Sequence, residues 1–474
     1  MKRPYLIILL ISTFSYSSVY AQYFVDSEFL NNTPAFLLGF VAEIPAEYPV
    51  DYYRITYNTV DVNGEPTVAS GAVAIPVTED CNNFPMVVYC HGTVLRQNDV
   101  PSQDNFEGVV TKVFASTGYI AIAPDYLGLG ENPGIHPYVH DESQATATLD
   151  LIRATREFLE EQPVSDNGEV FITGYSQGGH AAMGALKYAE ENGQTEELGI
   201  VAGAPCSGPY DIAGSQASTL LSDEPYATPG YAIYVLISYN FVYGNIFNQL
   251  SDIVEQPYAD NVLPYFDGAQ DEFDMDAVHN ELPNFVSDFM VDSLLENFEN
   301  NPNHPLRQAL ADNDNYDWTP QIPIRMFYCD DDEQVNFQNS LTAETTMNAN
   351  GATDVEAVLS LAGGNHGTCV IPALSDAFGF FSSLATPCDF ITGVNNFAEQ
   401  GLKVYPNPAD LFTVIESNGM GEKIQLFDLS GRMLRQQVST SNQTRIDVTD
   451  LSPGAYVLTL GDGEKVTRST LIIN

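Results

Sequence analysis

The segment Gly174-Tyr175-Ser176-Gln177-Gly178-Gly179 places a serine two residues from a glycine on either side. It directly follows the apolar run Val170–Thr173 and leads into the Ala-rich run Gly179–Ala189. A serine on so tight a strand-to-helix turn has a strained backbone that needs small neighbours, so Gly174 and Gly178 are sterically required. The N-terminus of the following helix points free N–H groups at a developing oxyanion. This is the arrangement of a nucleophile for acyl transfer, and a serine hydroxyl at neutral pH needs a base to act as one. Seven histidines are available: His91, His136, His140, His180, His279, His304 and His366. On a turn of this kind the acid follows the serine and the histidine comes last. His366 fits that order, in the loop Gly363-Gly364-Asn365-His366-Gly367 after the strand-like run Val355–Leu361. His180 lies on the helix after Ser176 and is expected to face away.

The acid is expected where the run Ile322–Tyr328 ends in Cys329-Asp330-Asp331-Asp332-Glu333-Gln334-Val335. Four consecutive carboxylates leave a choice. An Asp three residues before a Val is frequent at this turn in hydrolases, which selects Asp332, with Asp331 and Asp330 as alternatives. Its work would be to hold the imidazole in one tautomer and stabilise the imidazolium. The same run also reads as a solvated loop or a calcium site, since hard cations take clustered carboxylates. An oxyanion hole needs two backbone donors. Gln177, after the serine, supplies one, and Thr93 in Tyr89-Cys90-His91-Gly92-Thr93 is the candidate for the other. His91 reads as a turn residue. No CxxC or Cys/His cluster has zinc-like spacing, and no metal or organic cofactor is expected.

These residues need a scaffold that gathers strand ends. Strand-like runs Tyr52–Val60 and Thr67–Val77 flank Asn63-Gly64, a hairpin signal. Short apolar runs follow at Pro85–Tyr89, Tyr119–Ala123, Val170–Thr173 and Ile200–Ala204, with helical patterns at Ser143–Leu159 and Gly179–Ala189 between them. Strands alternating with helices predict an α/β fold with a mostly parallel central sheet. The rhythm stops over Ser207–Pro320, about 110 residues, too long for a loop, and the segment reads as a helical cap insertion. It contains Tyr231–Phe247, uncharged but too polar for a membrane span, read as a buried or interfacial helix. The sheet pattern resumes at Pro323–Tyr328 and Val355–Leu361, and a helix over Ile371–Leu384 closes the unit. Beyond a linker at 393–401, short alternating stretches from Phe412 to Leu460 predict a small all-β sandwich.

Met1-Lys2-Arg3, an apolar stretch over Tyr5–Ile11 and Val19-Tyr20-Ala21 read as a cleavable export signal over residues 1–21. Export permits disulfides among Cys81, Cys90, Cys206, Cys329, Cys369 and Cys388. Cys369–Cys388 is the expected bridge from sequence proximity, with buried free thiols the alternative for Cys90, Cys206 and Cys329. The chain of 474 residues has a net charge of −46. That excludes a nucleic-acid partner, which needs clustered Lys and Arg, and disfavours anionic lipid. The charge is uneven: residues 22–400 carry 8 basic and 55 acidic side chains, residues 401–474 carry 7 and 8.

Tyr89–Thr93, Ala123-Pro124-Asp125-Tyr126-Leu127-Gly128-Leu129-Gly130, His136-Pro137-Tyr138, Asp150-Leu151-Ile152-Arg153-Ala154 and Gly174–Gly179 together resemble the secretory lipase type of α/β-hydrolase, over residues 51–392. The resemblance implies a secreted carboxylic-ester hydrolase (lipase or esterase) acting through Ser176, Asp332 and His366, with a cap that holds the acyl group and Asp125 shaping the floor of the site. The catalytic unit would span 22–392 with its cap at 207–320. Leu402–Pro408, Leu426–Gly431 and Leu451–Tyr456 resemble the type IX secretion sorting domain of Bacteroidetes, over 402–474. That implies export to the surface or medium, with the secretion machinery as a partner. A serine peptidase of the same fold and a non-catalytic binding protein are the competing readings.

Overall fold

The computed structural model describes residues 22–39, 46–79, 81–266, 274–388 and, in the tail, 403–409, 411–416, 421–428, 432–439, 441–452, 454–462 and 465–473. The expected signal at 1–21 and linker at 393–401 lie outside the described residues.

The strands are β1 Phe24–Thr33, β2 Val50–Val60, β3 Pro66–Pro76, β4 Asn83–Cys90, β5 Ile120–Pro124, β6 Ser165–Tyr175, β7 Ile200–Cys206, β8 Ile324–Cys329 and β9 Val355–Leu361. They form one sheet in the order β1-β2-β3-β5-β4-β6-β7-β8-β9. Strands β4 to β9 are mutually parallel, and β1 to β3 extend one edge in antiparallel fashion. The principal helices are α1 Phe106–Ser116, α2 Asp141–Leu159, α3 Gln177–Glu191, α4 Gly230–Tyr243, α5 Asp292–Asn300, α6 Pro305–Asp312, α7 Gln338–Ala349 and α8 His366–Leu384.

The central strands are apolar on both faces, as a parallel sheet covered by helices requires. The two-residue period sorts them. Met86, Val88, Ile120, Ile122 and Ile172 pack with Leu149, Ile152, Met183 and Leu186 of α2 and α3. Val87, Ala121 and Phe171 pack on the other face with Phe114 of α1 and Ala373 and Phe381 of α8. Helices α4 to α6 lie between β7 and β8 and build a separate apolar core around Ile233, Tyr239, Val254 and Phe289. The cap is therefore a packed layer of its own.

In the tail, β10 Val404–Tyr405, β11 Phe412–Glu416 and β14 Gln443–Asp447 form one antiparallel sheet, and β12 Lys423–Phe427, β13 Met433–Val438, β15 Gly454–Asp462 and β16 Lys465–Ile473 form another. Ile415 and Ile446 of the first share a core with Ile424, Leu426, Leu458 and Leu471 of the second.

Three expectations are corrected. Cys369 does not pair with Cys388: the bridges are Cys81–Cys388 and Cys329–Cys369, and Cys90 and Cys206 are buried free thiols. Cys369 and Cys388 are separated by most of α8, about 22 Å of helix, whereas a disulfide needs Cα atoms within about 7 Å. His366 is not held in a loop but is the first residue of α8, capped by Asn365, whose side chain accepts from the Thr368 N–H while the Thr368 hydroxyl accepts from the Asn365 N–H. The closing helix thus begins five residues before the expected Ile371. Strand β1 and helices α1 and α7 were not expected from the pattern. Among the described residues α8 alone is long and apolar enough to cross a membrane, and its Cys369, Ala373, Ala377 and Phe381 are packed on the sheet.

Candidate active site

The carboxyl ends of β4, β6, β7 and β8 converge beneath the cap. Ser176 occupies the turn between β6 and α3 with φ 61° and ψ −120°, a conformation that a residue with a Cβ holds only when its surroundings enforce it. Its N–H donates to the Cys206 carbonyl at 3.0 Å and its carbonyl accepts from the His180 N–H at 3.2 Å. The enforcement is steric on the flanks. A Cβ at Gly174 would stand 2.3 Å from the Gly178 carbonyl oxygen, and one at Gly178 would stand 1.9 Å from that of Cys90.

The acidic run is divided among separate tasks. Asp330 accepts from the Gly363 N–H at 2.6 Å. Asp332 accepts from the N–H groups of Gln334 and Val335 at 3.0 and 2.9 Å, which gives the Asp-x-x-Val spacing a physical reason. Its oxygens lie 2.9 and 2.8 Å from His366 Nδ1, and its side chain is 1% exposed. Glu333 accepts from the His366 N–H at 3.0 Å. The disulfide Cys329–Cys369 ties the strand end that carries Asp332 to the first turn of the helix that carries His366. Among the described residues no group of His, Cys, Asp and Glu is disposed to hold a metal ion.

The structure thus joins Asp332 to His366 by direct hydrogen bonds, and Tyr175, the residue before Ser176, reaches the His366 backbone. The Tyr175 hydroxyl donates to the His366 carbonyl at 2.6 Å, and the two rings lie 5.0 Å apart. Sequence reasoning had not singled out Tyr175 or Glu333. The only signal for Tyr175 is its place beside the serine.

The other six histidines have partners other than Asp332. His180 lies between Gln144 Oε1 and the Asn313 carbonyl. His140, His279 and His304 accept from the N–H groups of Ser143, Gly230 and Leu306. His91 is buried against the Gly92 and Asp125 carbonyls, and burial depresses its pKa to about 4. His136 Nδ1 meets the Leu127 carbonyl at 2.7 Å and its Nε2 meets Gln177 Nε2 at 2.7 Å. Asp125 accepts from the Ser70 hydroxyl at 2.6 Å and the Ser102 N–H at 3.1 Å, tying β3 to the loop after β4, and burial raises its pKa to about 6. Thr93, the other candidate oxyanion residue, pairs its hydroxyl with that of Tyr138 at 2.8 Å.

Ser176 and Gln177 stand at the wall of an open cavity of about 970 Å³, a volume that includes the solvent at its mouth. Most of the lining is apolar and comes from the cap, including Tyr231 and Leu236 of α4, Phe298 of α5 and Leu306 of α6, while Val335 comes from the acid loop. The buried or interfacial helix expected in Tyr231–Phe247 is α4, which is capped at Gly244 and forms part of this apolar wall.

Residues 103–227 match the secretory lipase family model, and residues 403–474 match the secretion system C-terminal sorting domain. No curated protein sequence matches the chain significantly. Among solved structures, the rice cell wall degrading esterase LipA from Xanthomonas oryzae is 29% identical, with a TM-score of 0.68 over 76% of this chain and 97% of that one. Lipase A from Candida antarctica in its closed state shares the fold at 17% identity, with a TM-score of 0.56 over 76% of this chain and 81% of that one. Family model and esterase likeness together support an ester hydrolase. The chain thus resembles a secretory-lipase-type α/β-hydrolase through the match over 103–227 and the shared fold, and its tail resembles a type IX secretion sorting domain over 403–474.

Proposed function

We propose that the protein is an exported serine hydrolase of carboxylic esters that works through Ser176, His366 and Asp332. The observation that carries the reading is the Asp332–His366 Nδ1 pairing at 2.8 Å, set at the same sheet end as the strained Ser176 turn. Ser176 Oγ attacks the ester carbonyl as His366 Nε2 takes its proton. Asp332 keeps the remaining proton on Nδ1 and stabilises the imidazolium. The N–H groups of Gln177 and Thr93 receive the oxyanion, each donor being worth about 2.7–4 kcal/mol in the transition state. Collapse expels the alcohol, which takes its proton from His366. Water activated by the same histidine then cleaves the acyl-enzyme.

In this reading residues 22–392 form the catalytic unit with its cap at 207–320, and 402–474 direct export through the type IX machinery after removal of 1–21. The apolar lining of the cavity favours uncharged acyl groups, in keeping with the net charge of −46. The test is hydrolysis of p-nitrophenyl esters with two- to sixteen-carbon acyl chains by the parent and by Ser176→Ala. Loss of turnover with the fold intact is expected, and near-normal turnover would sink the assignment.

A further inference from the structure

The two candidate oxyanion residues are far apart in sequence, yet their side chains are held by one short segment. Thr93 Oγ1 lies 2.8 Å from the Tyr138 hydroxyl, and Gln177 Nε2 lies 2.7 Å from His136 Nε2. The polarity of the second contact is set by chemistry. The Leu127 carbonyl can only accept, so His136 Nδ1 carries the proton and Nε2 presents its lone pair to an amide N–H of Gln177. The imidazole stays neutral, because burial depresses its pKa to about 3.

The segment is itself clamped by cap helix α4. The ring of Tyr234 stacks on Tyr138 at 4.3 Å and 3°. The Ser238 hydroxyl donates to the His136 carbonyl at 2.8 Å, and the Tyr239 hydroxyl donates to the Val139 carbonyl at 3.1 Å. The Tyr234 hydroxyl reaches the Val94 carbonyl, next to Thr93, at 3.1 Å. Val139 has φ 47°, a conformation costly for a β-branched residue and kept only when the surroundings over-determine it.

We propose that His136 and Tyr138 are positioning residues that set the two oxyanion donors and make their placement depend on the seating of cap helix α4. This rests on the reading of Gln177 and Thr93 as the donors. Tyr138→Phe removes one hydroxyl and keeps the ring stack, so it serves as the primary probe. His136→Leu removes the acceptor, and His136→Gln restores one.

Tyr138→Phe is expected to lower kcat by roughly 10-fold, short of the roughly 100-fold cost of losing a donor outright, with KM within about twofold. Affinity for an alkyl boronic acid, which forms a tetrahedral adduct on the serine, falls in parallel. Because the hydroxyl acts through Thr93, the loss in Tyr138→Phe/Thr93→Val is expected to be no greater than in the worse single variant. His136→Gln recovers most of what His136→Leu loses. Unchanged kcat and boronate affinity in folded Tyr138→Phe, or losses that multiply in the double variant, would overturn the brace while leaving the nucleophile in place. Turnover that survives Ser176→Ala would overturn the reading beneath it.

Discussion

The hydroxyl of Tyr175 donates a 2.6 Å hydrogen bond to the backbone carbonyl of His366, across 191 positions of sequence. The residue before the candidate nucleophile thus holds the first residue of the helix that carries the candidate base. Asp332 and Glu333 hold the same histidine from the other side, through its Nδ1 and its backbone N–H. The imidazole is positioned by three contacts from two strand ends.

Tyr175→Phe removes one of these contacts and keeps the ring. A net loss of about 1 kcal/mol is expected for the hydrogen bond, read as a lower midpoint in urea. A small displacement of the imidazole has a larger kinetic effect, so kcat should drop by roughly 10-fold while KM holds. An unchanged kcat would show that the remaining contacts suffice.

Asp332 and Asp331 of the acidic run should separate in a kinetic comparison. Asp332→Asn favours the wrong imidazole tautomer and is expected to cost about 10⁴ in kcat. Asp331 is exposed, and Asp331→Asn should stay within about twofold of the parent, as expected of an exposed surface substitution. A larger loss at Asp331 than at Asp332 would move the acid one residue.

The Cys329–Cys369 disulfide closes a loop of 40 residues around the candidate acid and base. Chain entropy gives such a loop about 4 kcal/mol. Cys329→Ser/Cys369→Ser should therefore unfold at clearly lower denaturant and lose kcat before it loses structure. Cys90 and Cys206 are buried, and burial pushes both thiols up to about 12. They should stay unlabelled by iodoacetamide in the native protein.

Asp314, at the foot of the cap, accepts from the Ala213 N–H at 2.9 Å. Burial, reinforced by the charges of Asp211 and Asp141, raises its pKa from 3.8 to about 7. The folded state therefore holds a proton that the unfolded chain releases, and this group's contribution is lost as pH rises from about 4 through about 7. Asp314→Asn keeps an acceptor oxygen without the charge. Its stability relative to the parent should rise across that window, on the order of a few kcal/mol by pH 8, measured by urea denaturation at pH 4, 6 and 8. A flat difference would show that Asp314 is ionised throughout.

The sequence alone determined what local chemistry can determine. The two-residue period and the strand–helix alternation specify a parallel sheet, because apolar runs with helices between them have no other way to cover both faces. The glycines around Ser176 mark the turn, because no larger residue fits there. The broken rhythm over Ser207–Pro320 marks the cap, and the tail motifs mark the sorting domain. What escaped the sequence depends on long-range geometry. Strand β1 lies at the sheet edge with Val25 and Phe29 exposed, so no buried face imposes a period on it. The bridges of Cys81 with Cys388 and Cys329 with Cys369 follow from where strands and α8 end, whereas proximity along the chain suggested a pair that the rise of α8 holds apart. Tyr175 reaches the site from an ordinary position, and Glu333, His136 and Tyr138 stand in stretches the sequence marks without showing what each side chain touches. Their side chains acquire these roles only when the tertiary fold brings strand ends, the cap and α8 within hydrogen-bond distance, a range no local pattern encodes.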